Sequence, residues 1–151
     1  AKMYTDLSFI TSSNRIGNDA ANFFKNMAIA NLDGHYAHLL VAPSSLKPSL
    51  LARIEEEIIK AQNGYSGSII LKMNSLTDRD IITKLSEASC AGVKISLIIR
   101  GICCLVPGIP GKTEHIKVIS ILGRFLEHSR IYCFGEGKAM DIFISSADIM
   151  T

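Results

Sequence analysis

The chain has 151 residues, 48% of them hydrophobic and 20% charged, which suits one compact domain with a sizeable core and excludes disorder. Sixteen Lys and Arg against fourteen Asp and Glu leave +2 at pH 7, too balanced for a protein that coats nucleic acid, so any anion site must be a local constellation. No apolar run approaches the roughly 20 residues that span a bilayer; the longest candidate, Ile95 to Ile102, is interrupted by Arg100. The start lacks the basic and apolar regions of a signal peptide, and a cytoplasmic chain is expected.

In chain order, Ser12 or Ser13 is placed to cap a helix from about Asn14 to Ala30, with Ile16, Ala20, Phe23, Phe24 and Met27 on one face. His38 to Ala42 is a short apolar strand candidate halted by Pro43. Ser45 or Ser49 caps a helix from about Pro48 to Gln62, whose buried stripe is Leu50, Leu51, Ile54, Ile58 and Ala61. Ser68 to Met73 reads as a buried strand. Asp78 or Thr77 caps a helix to about Ala91, with Ile81, Ile82, Leu85 and Ala88 on one side and Gly92 at its end. Val93 to Ile99 is the next strand, followed from Arg100 to Lys112 by a loop with three Gly and two Pro. Lys117 to Leu122, Arg130 to Phe134 and Asp141 to Ser145 complete six strand candidates. Alternation of strand and helix predicts parallel pairing in the first half, and the last two strands could close as an antiparallel hairpin.

Four cysteines, Cys90, Cys103, Cys104 and Cys133, have neither C-x-x-C spacing nor a histidine at ligand spacing. They read as small buried apolar residues, with no metal site.

In α/β sheets, sites lie beyond the carboxyl ends of the strands. That rule singles out Lys72 and Asn74, Arg100, and Ser145 with Ser146. A second cluster, Arg124, Glu127, His128 and Arg130, precedes a strand whose alternation sets His128 and Arg130 on one face. An imidazole beside a guanidinium suits phosphoryl chemistry, since Arg forks match phosphate oxygens and His exchanges a proton near neutral pH. The plainer alternative is a surface Glu127–Arg130 ion pair with His128 exposed. Arg100 ends an apolar strand, where burial calls either for an anion or for a structural ion pair. Tyr4 is able to stack on a base or to pack against the first helix. His35, His38 and His115 read as surface or hinge residues.

Four stretches carry a family resemblance. Ala1-Lys2-Met3-Tyr4-Thr5-Asp6 resembles the segment after the TGNFN motif of bacterial polyphosphate kinase of the first type. Ile99-Arg100-Gly101-Ile102-Cys103-Cys104-Leu105 resembles that family's R-G-[IM]-C-x-L loop. Gly123 to Tyr132 is similar to its G-R-[FY]-L-E-H-[SD]-R-[IV]-Y signature, and Ile144-Ser145-Ser146-Ala147-Asp148 to its [IL]-S-S-A-D element. The order is the same and the motifs cover essentially the whole chain. Ile149 stands where many members have Trp, a packing difference.

The resemblance implies an α/β, phospholipase-D-like mixed sheet flanked by helices and preceded by an N-terminal helix. Residues 1–37 are then a helical segment linking from a preceding catalytic domain, and 38–151 the second phospholipase-D-like domain, truncated at its C-terminus. The implied reaction is reversible transfer of the terminal phosphate of ATP to inorganic polyphosphate through a phosphohistidine on that other domain. Carried over by motif, Tyr4 stacks on the base, Arg100 contacts the nucleotide phosphates, and His128 is the second active-site histidine, a general acid/base. Arg130, Lys72 and Asn74 are further phosphate contacts of second rank. His128-Ser129-Arg130 stands where the superfamily has His-x-Lys. ATP or ADP is the expected substrate, and Mg2+ is expected in the intact enzyme with its ligands outside this chain. The remaining domains are expected partners, within a homo-oligomer in the cytoplasm, with contact to the inner membrane face left open and nucleic acid excluded. The chain alone is expected to lack kinase activity. The alternatives are a non-catalytic nucleotide- or polyphosphate-binding module and a phospholipase-D-like phosphodiesterase.

Overall fold

Side chains alternate between the faces of a strand, and that period sorts the sheet of this protein. A computed structural model describes residues 4–150; Ala1 to Met3 of the first motif, and Thr151, lie outside the described residues. The elements run β1 (Tyr4–Thr5), α1 (Asn14–Ala28), α2 (Leu46–Gln62), β2 (Ser68–Met73), α3 (Arg79–Cys90), β3 (Lys94–Ile99), β4 (Ile116–Ile119), β5 (Leu126–Glu127), β6 (Arg130–Phe134), a short 3-10 turn at Gly137–Ala139, and β7 (Asp141–Ser145). Along β2, Ile69, Leu71 and Met73 are buried and alternate with the less covered Ser68, Ile70 and Lys72. Along β3, Ile95, Leu97 and Ile99 do the same.

The two strands pair in parallel, Leu71 opposite Leu97, and α3 supplies the crossover that parallel pairing needs. β4 extends the parallel side, while β6 and β7 add antiparallel to β2, giving the order β4-β3-β2-β6-β7. The expected parallel pairing and closing hairpin are therefore both present. Tyr132 and Phe134, opposite Leu71 and Ile69, complete the buried face. Leu50, Ile54 and Ile58 of α2, with Ile81, Leu85 and Ala88 of α3, belong to the same core. Asp78, rather than Thr77, caps α3 by accepting from the N–H groups of Asp80 and Ile81. Periodicity gives no sign of the place of Glu57: it sits fully buried in the stripe of α2, accepting from the Ser68 N–H and pairing with Lys60.

The chain divides into two compact units, residues 1–7 with 50–151, and residues 8–49. In the smaller unit, Ser13 occupies the N-cap position of α1 without making a side-chain cap bond. The apolar face of α1 is only partly covered, and Phe24 and Met27 are exposed. Asp19 is buried instead, accepting from the backbone N–H groups of His38 and Leu39.

This corrects the strand expected at His38 to Ala42, which is irregular. Its donors go to Asp19, the Val41 N–H goes to Ser45 Oγ, and the Val41 carbonyl accepts from Ser45 and Leu46, so no ladder forms there.

β4 stops at Ile119 rather than Leu122 because its partner β3 ends at Ile99. The cysteines also need correction. Only Cys133 is buried; Cys90 and Cys104 are exposed and Cys103 is intermediate. The Cys103-Cys104 loop is tied through backbone bonds to Leu76, and that tie does not require its thiols to be covered. Ile149 is buried, and its carbonyl accepts from Thr77. Among the described residues no helix is long and apolar enough to cross a membrane.

Candidate functional site at the carboxyl ends of the strands

The sheet order brings distant sequence to one edge. β2 and β3 are parallel, so Asn74 and Arg100 emerge side by side from their carboxyl ends. β6 runs the other way, which puts its first residue, Arg130, at that same edge and opposite Ser145 at the end of β7. The chain after β7 then returns with Asp148. Gly101 lets the strands meet closely here: its N–H donates to the Asn74 carbonyl at 2.6 Å, and a Cβ at Gly101 would lie 2.9 Å from that oxygen.

Asp148 sits at the centre of this edge. Its Oδ1 accepts from the Asn74 N–H at 2.8 Å, and its Oδ2 accepts from Asn74 Nδ2 at 3.2 Å and Arg130 Nη2 at 2.9 Å. The Asn74 side-chain oxygen in turn accepts from Arg100 Nε at 3.2 Å and Nη2 at 2.9 Å. Arg130 Nη1 donates to the His128 carbonyl at 3.1 Å and lies 3.4 Å from His128 Nδ1. One connected polar network thus joins Arg100, Asn74, Asp148, Arg130 and His128.

The Arg130 and Asp148 side chains are only 10% and 14% exposed, so their charges are mutually dependent. Burial alone would raise the Asp148 carboxyl, but the hydrogen bonds from Arg130 and from the Asn74 N–H and amide outweigh it and hold the group below its ordinary value. The same Asp148 bond outweighs desolvation at Arg130 and raises its guanidinium further. Arg130 Nε is buried without a partner. The guanidinium is therefore aimed by its two Nη atoms.

His128 is reached from the other end of the chain. β1 pairs in parallel with β5, Tyr4 opposite Leu126, and the His128 N–H donates to the Thr5 carbonyl at 3.0 Å. Tyr4 consequently meets the His128 ring edge-on at 5.1 Å between centroids. Asp6 Oδ2 lies 3.2 Å from His128 Nδ1, and its carboxyl is lowered first by the Leu7 N–H and then by the His128 hydrogen bond. Nδ1 stands between a carboxylate and a guanidinium. It donates to Asp6 in one tautomer and accepts from Arg130 in the other. The His128 side chain is 32% exposed. Lys72 Nζ donates to the Ser129 carbonyl at 2.9 Å and Oγ at 2.6 Å, and lies 3.5 Å from Glu127. Beside this network, Arg100, Arg124 and Phe125 line a cleft of about 210 Å³.

Tyr4, Arg100 and His128, carried over by motif, and the second-rank Lys72, Asn74 and Arg130 meet at this edge. The surface pair expected as an alternative does not form: Glu127 pairs with Lys72, and Arg130 with Asp148. The structural ion pair expected as the alternative for Arg100 does not form among the described residues, since its fork rests on a neutral amide oxygen. Sequence reasoning does not single out Asp6 and Asp148, although each closes one of the four motifs. Among the described residues no three His, Cys, Asp or Glu gather to hold a metal ion. The Asp148 oxygens already accept from Arg130 and Asn74. These residues do not fit a magnesium site.

The fold defines a class, the phospholipase-D-like mixed α/β domain, here with a histidine two residues ahead of a strand that opens on an arginine. Within it, the family model described as polyphosphate kinase C-terminal domain 2 matches residues 39–151. The chain belongs to that family. It is 54% identical over 151 residues to a polyphosphate kinase of Staphylococcus saprophyticus, covering 100% of this chain and 21% of the relative. It is 50% identical to one of Bacillus cereus, again over 100% of this chain and 22% of the relative. The crystal structure of polyphosphate kinase from Porphyromonas gingivalis superposes with a TM-score of 0.85 at 41% identity, over 93% of this chain and 22% of that one. The chain spans about a fifth of the length of the relatives it matches.

Proposed function

We propose that these residues form one wall of the active site of an ATP:polyphosphate phosphotransferase, residues 38–151 being its second phospholipase-D-like domain and 1–37 the segment leading into it. The observation that carries this reading is the junction at His128, with Tyr4 against the ring, Asp6 and Arg130 at Nδ1, and Arg100 connected through Asp148 and Asn74. A nucleotide base lies on Tyr4, which is 59% exposed, and the phosphates lie towards Arg100. Two N–H groups of Arg100 rest on Asn74, and Nη1, without a hydrogen-bond partner among the described residues, meets phosphate oxygens in the fork geometry that suits them.

With Nδ1 donating to Asp6, the free Nε2 of His128 exchanges the proton as general acid/base, while a histidine outside these 151 residues accepts the phosphoryl group. Most of the remaining stabilisation is electrostatic, from guanidiniums around the spreading phosphoryl charge. The setting in this reading is the cytoplasm, and polyphosphate is the second substrate.

The test exchanges this chain for the matching 151 residues of a full-length relative and measures ATP-dependent polyphosphate synthesis. His128→Ala lowers kcat roughly 10²–10⁴-fold, as expected for loss of a positioned acid/base. Arg100→Ala raises KM for ATP about 10- to 100-fold, the equivalent of a lost charged hydrogen bond. The 151 residues alone make no polyphosphate. Full activity in either variant, or synthesis by the chain alone, overturns the reading.

A further inference from the structure

We propose that Asp148 is a positioning residue that orients both arginines of the site, Arg130 directly and Arg100 through Asn74. This rests on the polyphosphate kinase reading. An ionised carboxylate only accepts hydrogen bonds, and a guanidinium only donates them. Asn74 lies between one of each. Its Nδ2 faces Asp148 at 3.2 Å and its Oδ1 faces the Arg100 fork at 2.9 and 3.2 Å. The reverse amide would set an NH2 group against the guanidinium and a carbonyl against the carboxylate. The charge on Asp148 therefore fixes which end of Asn74 is offered to Arg100. The second Asp148 oxygen holds the Asn74 backbone N–H at 2.8 Å, so the residue that relays the orientation is itself held at main chain and side chain.

Arg130 depends on the same carboxylate. Asp148 is its one carboxylate partner within ion-pair distance among the described residues. Its Nε is buried with no acceptor, so Asp148 on Nη2 and the His128 carbonyl on Nη1 set its direction. Nη1 already stands 3.4 Å from His128 Nδ1. A guanidinium released from Asp148 competes with Asp6 for that nitrogen. Asp148 keeps the two partners of His128 distinct while being only 14% exposed itself.

The experiment uses the same full-length exchange enzyme, with activity normalised to folded protein by circular dichroism and thermal unfolding. Asp148→Asn keeps the shape but turns one acceptor into a donor, and kcat/KM falls about 10²-fold, the scale of an ångström-sized misplacement. Asn74→Ala removes the amide that joins Asp148 to Arg100 but keeps the Asn74 backbone N–H and the Arg130–Asp148 pair, so it raises KM for ATP with a smaller change in kcat. Combined with Arg100→Ala, Asn74→Ala adds no further loss, because both act through one guanidinium. Asp148→Asn combined with Arg100→Ala does lose more, through Arg130. The role is overturned if Asp148→Asn retains near wild-type kcat/KM, or if Asn74→Ala and Arg100→Ala multiply as independent changes. A failure of Asp148→Asn to fold leaves the Asn74/Arg100 cycle to decide. Loss of activity in His128→Ala and Arg100→Ala, with none in Asn74→Ala and Asp148→Asn, sinks only the positioning role. Full activity in the first two sinks the kinase reading itself.

Discussion

Asp19 in the 8–49 unit and Asp148 at the sheet edge are both acids drawn in from water, and they organise their regions differently. Asp19 gives its carboxylate to backbone donors, the N–H groups of His38 and Leu39, and those bonds lower its carboxyl, led by the His38 N–H. It substitutes for a ladder and holds an irregular connector. Asp148 divides its oxygens between a backbone N–H, an amide and a guanidinium. The amide leads on to Arg100 and the guanidinium to His128. What a buried acid is bonded to separates scaffold from site here.

The largest expected effect that sharpens this contrast is at Asp148. Asp148→Ala leaves the Arg130 guanidinium buried without a counter-charge, and chemical denaturation should read a loss of about 3–5 kcal/mol. Asp19→Ala uncovers two main-chain donors instead, and hydrogen exchange should report lost protection at the His38 and Leu39 amides. An equal stability loss in Asp148→Ala and in a surface substitution would erase the distinction.

Titration gives the next test. The Asp148 carboxyl is lowered in the folded protein, so its contribution is complete above the usual carboxylate value of 3.8 and is lost as pH falls through the lowered one. The stability gap between wild type and Asp148→Asn should narrow below about pH 4. Tyr132 provides the opposite slope. Burial, aided by the Asp148 charge, raises its hydroxyl above the usual 10.0, and that hydroxyl donates to the Ala147 carbonyl at 2.6 Å. Its contribution is full below about pH 10 and is lost as pH rises above it. Tyr132→Phe should flatten the alkaline limb of the stability curve, and an unchanged limb would show that another group titrates there.

The smallest effect belongs to the surface. Arg53 pairs with Glu56 and Asp141 at 3.0 and 2.9 Å, but its side chain is 37% exposed. Arg53→Ala should change stability by at most about 1 kcal/mol.

Much of the framework was legible because it follows local periodicity. The alternation of Ile69, Leu71 and Met73, and the cap at Asp78 ahead of Ile81, Leu85 and Ala88, rest on side-chain period and backbone donors that neighbours in sequence determine. Where periodicity misleads, a distant partner has intervened. His38 to Ala42 has a strand's composition, but Asp19 and Ser45 take its backbone groups. Glu57 has a solvent-facing composition, but the Ser68 N–H and Lys60 draw it into the core stripe. The two-residue pairing of β1 with β5 is too short to carry a pattern.

The length and near-neutral charge imply that any anion site is assembled from a few residues rather than a field; the motifs offered Tyr4, Arg100, His128 and Arg130 as candidates, and the strand-end rule added Lys72 and Asn74. Which of them touch was decided only by the tertiary structure. Antiparallel β6 brings Arg130 to the edge where parallel β2 and β3 end, and the β1–β5 pairing carries Tyr4 and Asp6 across more than a hundred residues to His128. The bonds of Asp6 and Asp148 emerge only from the folded arrangement. A carboxylate shows its purpose only through the donors that face it, and strand direction, not sequence spacing, set those donors in place.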